Sequence, residues 1–156
     1  MKQKNLIILA AAVVVIVALL FGASQMAKPK TTYWPGTDIV CLPNGHANLS
    51  LHIHPTLTVS VNGVPIPIKG GIGISATCMS EVHTHEEGGV IHIESVEVGK
   101  TYTIKDFYKV SGETLEQEGF TLSASVNGAS EENVAEYQLK DGDVVELTYT
   151  GIPTEE

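Results

Sequence analysis

From Leu51 to Val61 the chain alternates: Leu51, Ile53, Leu57, Val59 and Val61 share one parity, and His52, His54, Thr56, Thr58 and Ser60 the other. Successive side chains of a strand point to opposite faces, so the segment reads as a half-buried strand with two histidines opposite its apolar face. Asn62-Gly63, a strong two-residue hairpin signal, leads into Val64-Pro65-Ile66-Pro67-Ile68. Its prolines cannot donate to a ladder and indicate an edge strand. Val90 to Val98 alternates again, with Ile91 and Ile93 facing inward while His92 and Glu94 point the other way.

All six histidines lie between His46 and His92, and five fall into two short pieces, His52-Ile53-His54 and His83-Thr84-His85 through His92-Ile93-Glu94. On a strand, His-x-His turns both rings to one face with Cα atoms about 6.6 Å apart, a spacing that lets two imidazoles bite one ion. His52, His54, His83, His85 and His92 are therefore candidate metal ligands. Glu94, on the face of His92, either ligates or orients a ligand ring. Nitrogen donors of this kind suit tetrahedral zinc or a copper(II) centre, and a His and carboxylate mixture admits iron less readily. Glu86 and Glu87 fall in a turn between the histidine pieces and read as solvated charges.

The rest of the chain continues in short strands. Tyr102 to Val110 reads as a short helix stopped by Ser111-Gly112. Phe120 to Val126 alternates up to Asn127-Gly128, and Asp141-Gly142-Asp143 introduces a last strand, Val144 to Thr150. The expectation is a mainly β or α+β domain of short antiparallel strands with one short helix. Gly70-Gly71-Ile72-Gly73 lacks the Lys-Ser/Thr of a phosphate cradle, and no serine nucleophile elbow or nucleotide fingerprint is present.

Leu6 to Ala23 is an unbroken run of apolar or small residues behind Lys2 and Lys4, at the lower limit of length for spanning a bilayer. It reads as a membrane anchor at 1–27, single-pass with the C-terminal domain outside the cytoplasm. A cleaved signal peptide is the alternative, for which Ala23-Ser24-Gln25-Met26-Ala27 offers no clean cleavage site. Residues 28–37 read as a proline-bounded linker, and 38–152 as an extracytoplasmic domain with a histidine-rich part at 41–110 and a C-terminal β part at 111–152. The chain has no arginine and a formal net charge of −9, which argues against nucleic acid as a partner because phosphate contact depends on clustered cations.

Cys41 and Cys78 are the only cysteines. In an oxidising compartment such a pair favours a structural disulfide. The competing reading makes them thiolate ligands, with Met79 as a soft neighbour, as copper would favour.

The combination of His52-x-His54, Gly71-Ile72-Gly73-Ile74, Cys78, His83-Thr84-His85 and Gly89-Val90-Ile91-His92-Ile93-Glu94-Ser95 resembles a family of small secreted or membrane-anchored bacterial and archaeal proteins. The signature of that family is His-Thr-His followed by Gly-Ile-Ile-His-Ile-Glu-Ser. The resemblance runs from about Cys41 to Val110. It implies a shared site at His52, His54, His83, His85, His92, Glu94 and Cys78, gives no place to His46, and names no activity. Val126-Asn127-Gly128 and Leu139 to Leu147 are similar to the end of β-grasp proteins such as small sulfur carriers. Those carriers end in Gly-Gly, whereas this chain ends Gly151-Ile152-Pro153-Thr154-Glu155-Glu156.

Three functions fit these residues. The first is an anchored protein that captures, buffers or delivers copper or zinc, its partners being the metal ion and the lipid bilayer. The second is a metal-dependent enzyme with Glu94 as general base. Cupin oxygenases also carry His-x-His on a strand, but they place a glutamate four or five residues later, where this chain has Gly89 and Val90. The third is an adhesive β domain without metal.

Overall fold

The computed structural model describes residues 13–18 and 31–152. The chain divides into two compact units, Met1–Lys30 and Thr31–Glu156. In the first, residues 13–18 are helical, and no helix among the described residues is long and apolar enough to cross a membrane. Most of the run from Leu6 to Ala23, and with it the expected anchor, lies outside the described residues.

The second unit is mainly β. In chain order it contains β1 (Pro43–His46), β2 (Leu51–Ile53), β3 (Thr56–Val61), β4 (Val64–Ile66), β5 (Val82–His83) and β6 (His92–Ser95). Helix α1 (Ile104–Ser111), β7 (Phe120–Val126), β8 (Ala129–Ser130), a 3-10 turn (Val134–Glu136) and β9 (Val144–Gly151) follow. Two sheets result, a three-stranded one in the order β2-β6-β5 and a five-stranded one in the order β4-β3-β9-β7-β8.

The strands are not all antiparallel as expected: β3 and β9 run parallel, from Thr56 facing Val144 to Val61 facing Tyr149. Parallel neighbours need a long crossover, which the helix and the strands between β3 and β9 supply. The alternating segment Leu51 to Val61 is also two strands rather than one. Pro55 has no N–H and biases His54 toward extended backbone, so the chain leaves the small sheet after Ile53 and enters the large one at Thr56. The break is stitched closed. His54 N donates to Asp141 Oδ1 at 2.9 Å, Thr56 N to Asp143 O at 2.7 Å, and Ile91 N to Pro55 O at 2.9 Å.

The turn chemistry follows the sequence closely. Asn62 and Gly63 have φ of 51° and 79°, and Asn127 and Gly128 have 54° and 79°, the left-handed pairs that a tight hairpin demands. Thr103 and Asp106 form a capping box at the start of α1, and Gly112, with φ of 75°, returns its N–H to Tyr108 O at the end. The helix buries Ile104, Phe107, Tyr108 and Val110 against one core shared by both sheets, in which Leu57, Ile91, Ile93, Val145 and Leu147 are fully enclosed. Each such side chain contributes about 1.5–3 kcal/mol of apolar burial.

Cys41 and Cys78 form a disulfide with Cα atoms 5.3 Å apart, so neither is a thiolate ligand. From Thr31 onward the stretch read as a linker is docked on the folded unit. Cys41 N donates to Thr32 O at 2.8 Å, and the Trp34 indole donates to Val110 O, at the end of α1, at 3.0 Å.

Candidate metal centre

The site is built on β6, the middle strand of the small sheet. Register sets His92 opposite His83 of β5 and Glu94 opposite His52 of β2, so three strands deliver their polar side chains together. This polar face is not an open surface. His83, Thr84 and Glu94 are completely buried, whereas the side chains of His46, His52 and His54 are 49%, 47% and 42% exposed. The histidines lie opposite the apolar core, as the alternation implies, with His83 enclosed and the other rings at a half-open rim around it.

The glycine-rich segment backs the His-Thr-His strand. Gly71 N donates to Thr84 O and Thr84 N to Ile72 O, both at 2.9 Å, while Thr84 Oγ1 donates to Lys69 O at 2.9 Å and accepts from Ile72 N at 3.1 Å. The threonine between the two histidines thereby pins the strand that carries them. Only glycine allows so close an approach: a Cβ on Gly73, whose φ is +76°, would stand 2.5 Å from Val82 O and 3.0 Å from His83 Cβ.

Hydrogen bonds fix which nitrogen the His83 and His46 rings present. His83 Nδ1 lies 2.9 Å from Ser80 O, an acceptor only, so Nδ1 carries the proton and Nε2 keeps its lone pair. That Nε2 is 3.1 Å from His85 Nε2. That is hydrogen-bonding distance, and it is also close to the about 3.3 Å between two nitrogens sharing a tetrahedral zinc at its usual bond length. His46 Nδ1 donates to both Glu94 oxygens, at 2.8 and 2.9 Å, and His52 Nε2 is 3.1 Å from Glu94 Oε1. The buried carboxylate thus holds one ring from β1 and one from β2.

All six imidazoles form one continuous cluster. Ring centroids are 4.8 Å apart for His83 and His85, 4.6 Å for His52 and His54, 4.7 Å for His54 and His92, and 4.6 Å for His85 and His92. Three groups bring ligand atoms within 4.8 Å of one another and could hold a metal ion: His46, His83 and His85; His52, His54 and His92; and His83, His92 and Glu94. His52, His54, His83, His85, His92 and Glu94 are all among them, Cys78 is not because it is bonded to Cys41, and His46 joins them although neither motif spacing nor resemblance gave it a place. Asp141, from the C-terminal third, belongs to none of the three groups but contacts His54. Its Oδ1 accepts from His54 N and lies 3.8 Å from His54 Nδ1. Glu86 and Glu87 are exposed, as expected.

Glu81, buried two residues before His83, is committed elsewhere. It accepts from Ser95 Oγ and Lys100 Nζ, each at 2.6 Å, and from Tyr102 Oη. Burial pushes the His83 imidazole down to about 4, against the hydrogen bond to Ser80 O, which raises it. His92 is lowered as well, by burial first and then by the neighbouring rings of His85 and His54. His83 is consequently a neutral nitrogen donor at any ordinary pH.

No protein-family model matches the chain, and neither a curated protein nor a solved structure is similar to it beyond chance.

Proposed function

We propose that this is a membrane-anchored extracytoplasmic protein that captures, buffers or delivers zinc or copper(II) through its histidine cluster. The observation that carries the reading is the pair of Nε2 atoms of His83 and His85, 3.1 Å apart, with the His83 proton committed to Ser80 O. The same spacing that lets one ring hydrogen-bond the other lets both nitrogens share one ion, and the His46 ring, 5.4 Å from that of His85, stands beside them. The donor set is nitrogen with one carboxylate, and both cysteines are bonded to each other, which favours zinc or copper(II) over a thiolate-bound copper(I).

A role for Glu94 as general base is disfavoured. Its carboxylate is fully buried and occupied by His46 and His52, so it faces neither solvent nor an open position where a substrate proton could arrive. Orienting ligand rings is the work its geometry suits. The disulfide supports an oxidising compartment, in keeping with an outward-facing domain. The parallel pairing of β3 with the last strand, with the helix between them in sequence, supports a β-grasp-like reading of the five-stranded sheet.

Elemental analysis of the protein purified from the membranes of its own cells tests the proposal. Zinc or copper co-purifying at one or more equivalents supports it. Protein recovered in the soluble fraction, or free of transition metal, speaks against it.

A further inference from the structure

Resting on that metal-binding reading, we infer that the cluster holds two metal ions in two three-histidine sites, His46/His83/His85 and His52/His54/His92, joined through the single carboxylate of Glu94.

Three observations carry this. The first is arithmetic of donors: one zinc or copper(II) takes three or four protein ligands, and six imidazoles plus a carboxylate are about twice that. The second is the partition. Each triad brings ligand atoms within 4.8 Å of one another, and the two triads have no residue in common. They arise from different parts of the fold, one from β1 with β5 and the residues that follow it, the other from β2, its Pro55 break and β6. The third is the place of Glu94, which accepts a hydrogen bond from His46 of one triad and lies 3.1 Å from His52 Nε2 of the other. A carboxylate with one ring on each side couples two centres, and its negative charge offsets part of the repulsion between two cations placed this close.

The triads touch where His92 meets His83, with rings stacked at 5.4 Å and 19°, and His85, edge-on at 4.6 Å. The third group, His83, His92 and Glu94, straddles that junction and is the arrangement a single shared ion would use. The two alternatives therefore differ in stoichiometry and in what happens when one side is removed.

The full chain, stripped with a chelator and exchanged into zinc or copper(II) salt, is weighed by native mass spectrometry. Two variants accompany it: His46→Ala/His85→Ala, which dismantles one triad, and His52→Ala/His54→Ala, which dismantles the other. All four positions lie at the exposed rim, and circular dichroism checks that each variant is folded. The inference expects two ions in the natural protein and one in each variant, with the second ion entering more weakly than the first. One ion in the natural protein, held undiminished by at least one variant or lost from both, overturns it in favour of a single site while leaving the metal-binding function intact. No ion in any of the three proteins overturns both.

Discussion

His46 and Glu94, 48 residues apart, share a hydrogen bond of 2.8 Å between an imidazole and a carboxylate that no solvent reaches. The contact ties β1 to the middle strand of the small sheet and turns the His46 ring toward His83 and His85. His46→Ala should therefore weaken zinc or copper binding by at least about tenfold, the usual cost of disturbing a ligand or its orienting partner. Glu94→Gln should cost about 10- to 100-fold, because an amide orients the two rings less well. Competition titration against a chelator of known affinity measures both, and an unchanged affinity in His46→Ala would detach that residue from the site.

The depressed His83 pKa has a consequence for stability. Above about pH 6.5 the ring is neutral both folded and unfolded, so folding gives up no proton. Between that value and about 4 the unfolded chain binds a proton that the folded chain refuses, and stability falls as pH falls. The metal-free protein should lose up to about 3 kcal/mol of unfolding free energy over this window from His83 alone. Denaturant titrations at several pH values, on the natural protein and on His83→Asn, measure it. The variant should show the shallower dependence.

Two glycines of the backing segment separate strain from crowding. Gly71 and Gly73 have nearly the same backbone, φ of +77° and +76°, but a Cβ meets nothing within 4 Å at Gly71, whereas at Gly73 it meets Val82 O at 2.5 Å, Val110 Cγ1 at 2.9 Å and His83 Cβ at 3.0 Å. Gly71→Ala should cost about 1 kcal/mol, the price of a left-handed alanine. Gly73→Ala should cost about 2–4 kcal/mol and should also loosen metal binding, because the strand it presses carries His83. Thermal melts with and without zinc report both effects.

Much of this fold was legible in the chain because the rules that govern it are local. The Asn-Gly turns, the helix stopped by Gly112, the proline-bearing edge strand β4 and the paired His-x-His motifs each depend on a few consecutive residues. What the sequence concealed is long-range. Nothing local brings His46 to Glu94 or Asp141 to His54, pairs 48 and 87 residues apart. The parallel pairing of β3 with β9 is equally remote. Alternation assigned the histidines correctly to the face away from the apolar core, but a period of two says nothing about what covers that face. The rings of His46, His85 and His92 stand around His83, which is fully buried while its neighbours are not.

The disulfide encloses the span between Cys41 and Cys78, a separation of 37 residues. Replacing both cysteines with serine should cost about 4 kcal/mol through the freedom returned to the unfolded chain. Because neither cysteine sulfur belongs to the cluster, the double variant should keep its full complement of metal at a temperature where it remains folded. Loss of the metal from a folded double variant would show that the cysteines contribute donors after all.

The central claim is that the buried and half-buried imidazoles around His83 form a metal-binding centre, and calorimetric titration of the chelator-treated full chain with zinc or copper(II) at neutral pH tests it most directly. The account predicts saturable binding with submicromolar affinity, abolished in His83→Ala. Heats that never saturate for either metal, or saturable binding untouched by His83→Ala, would contradict it.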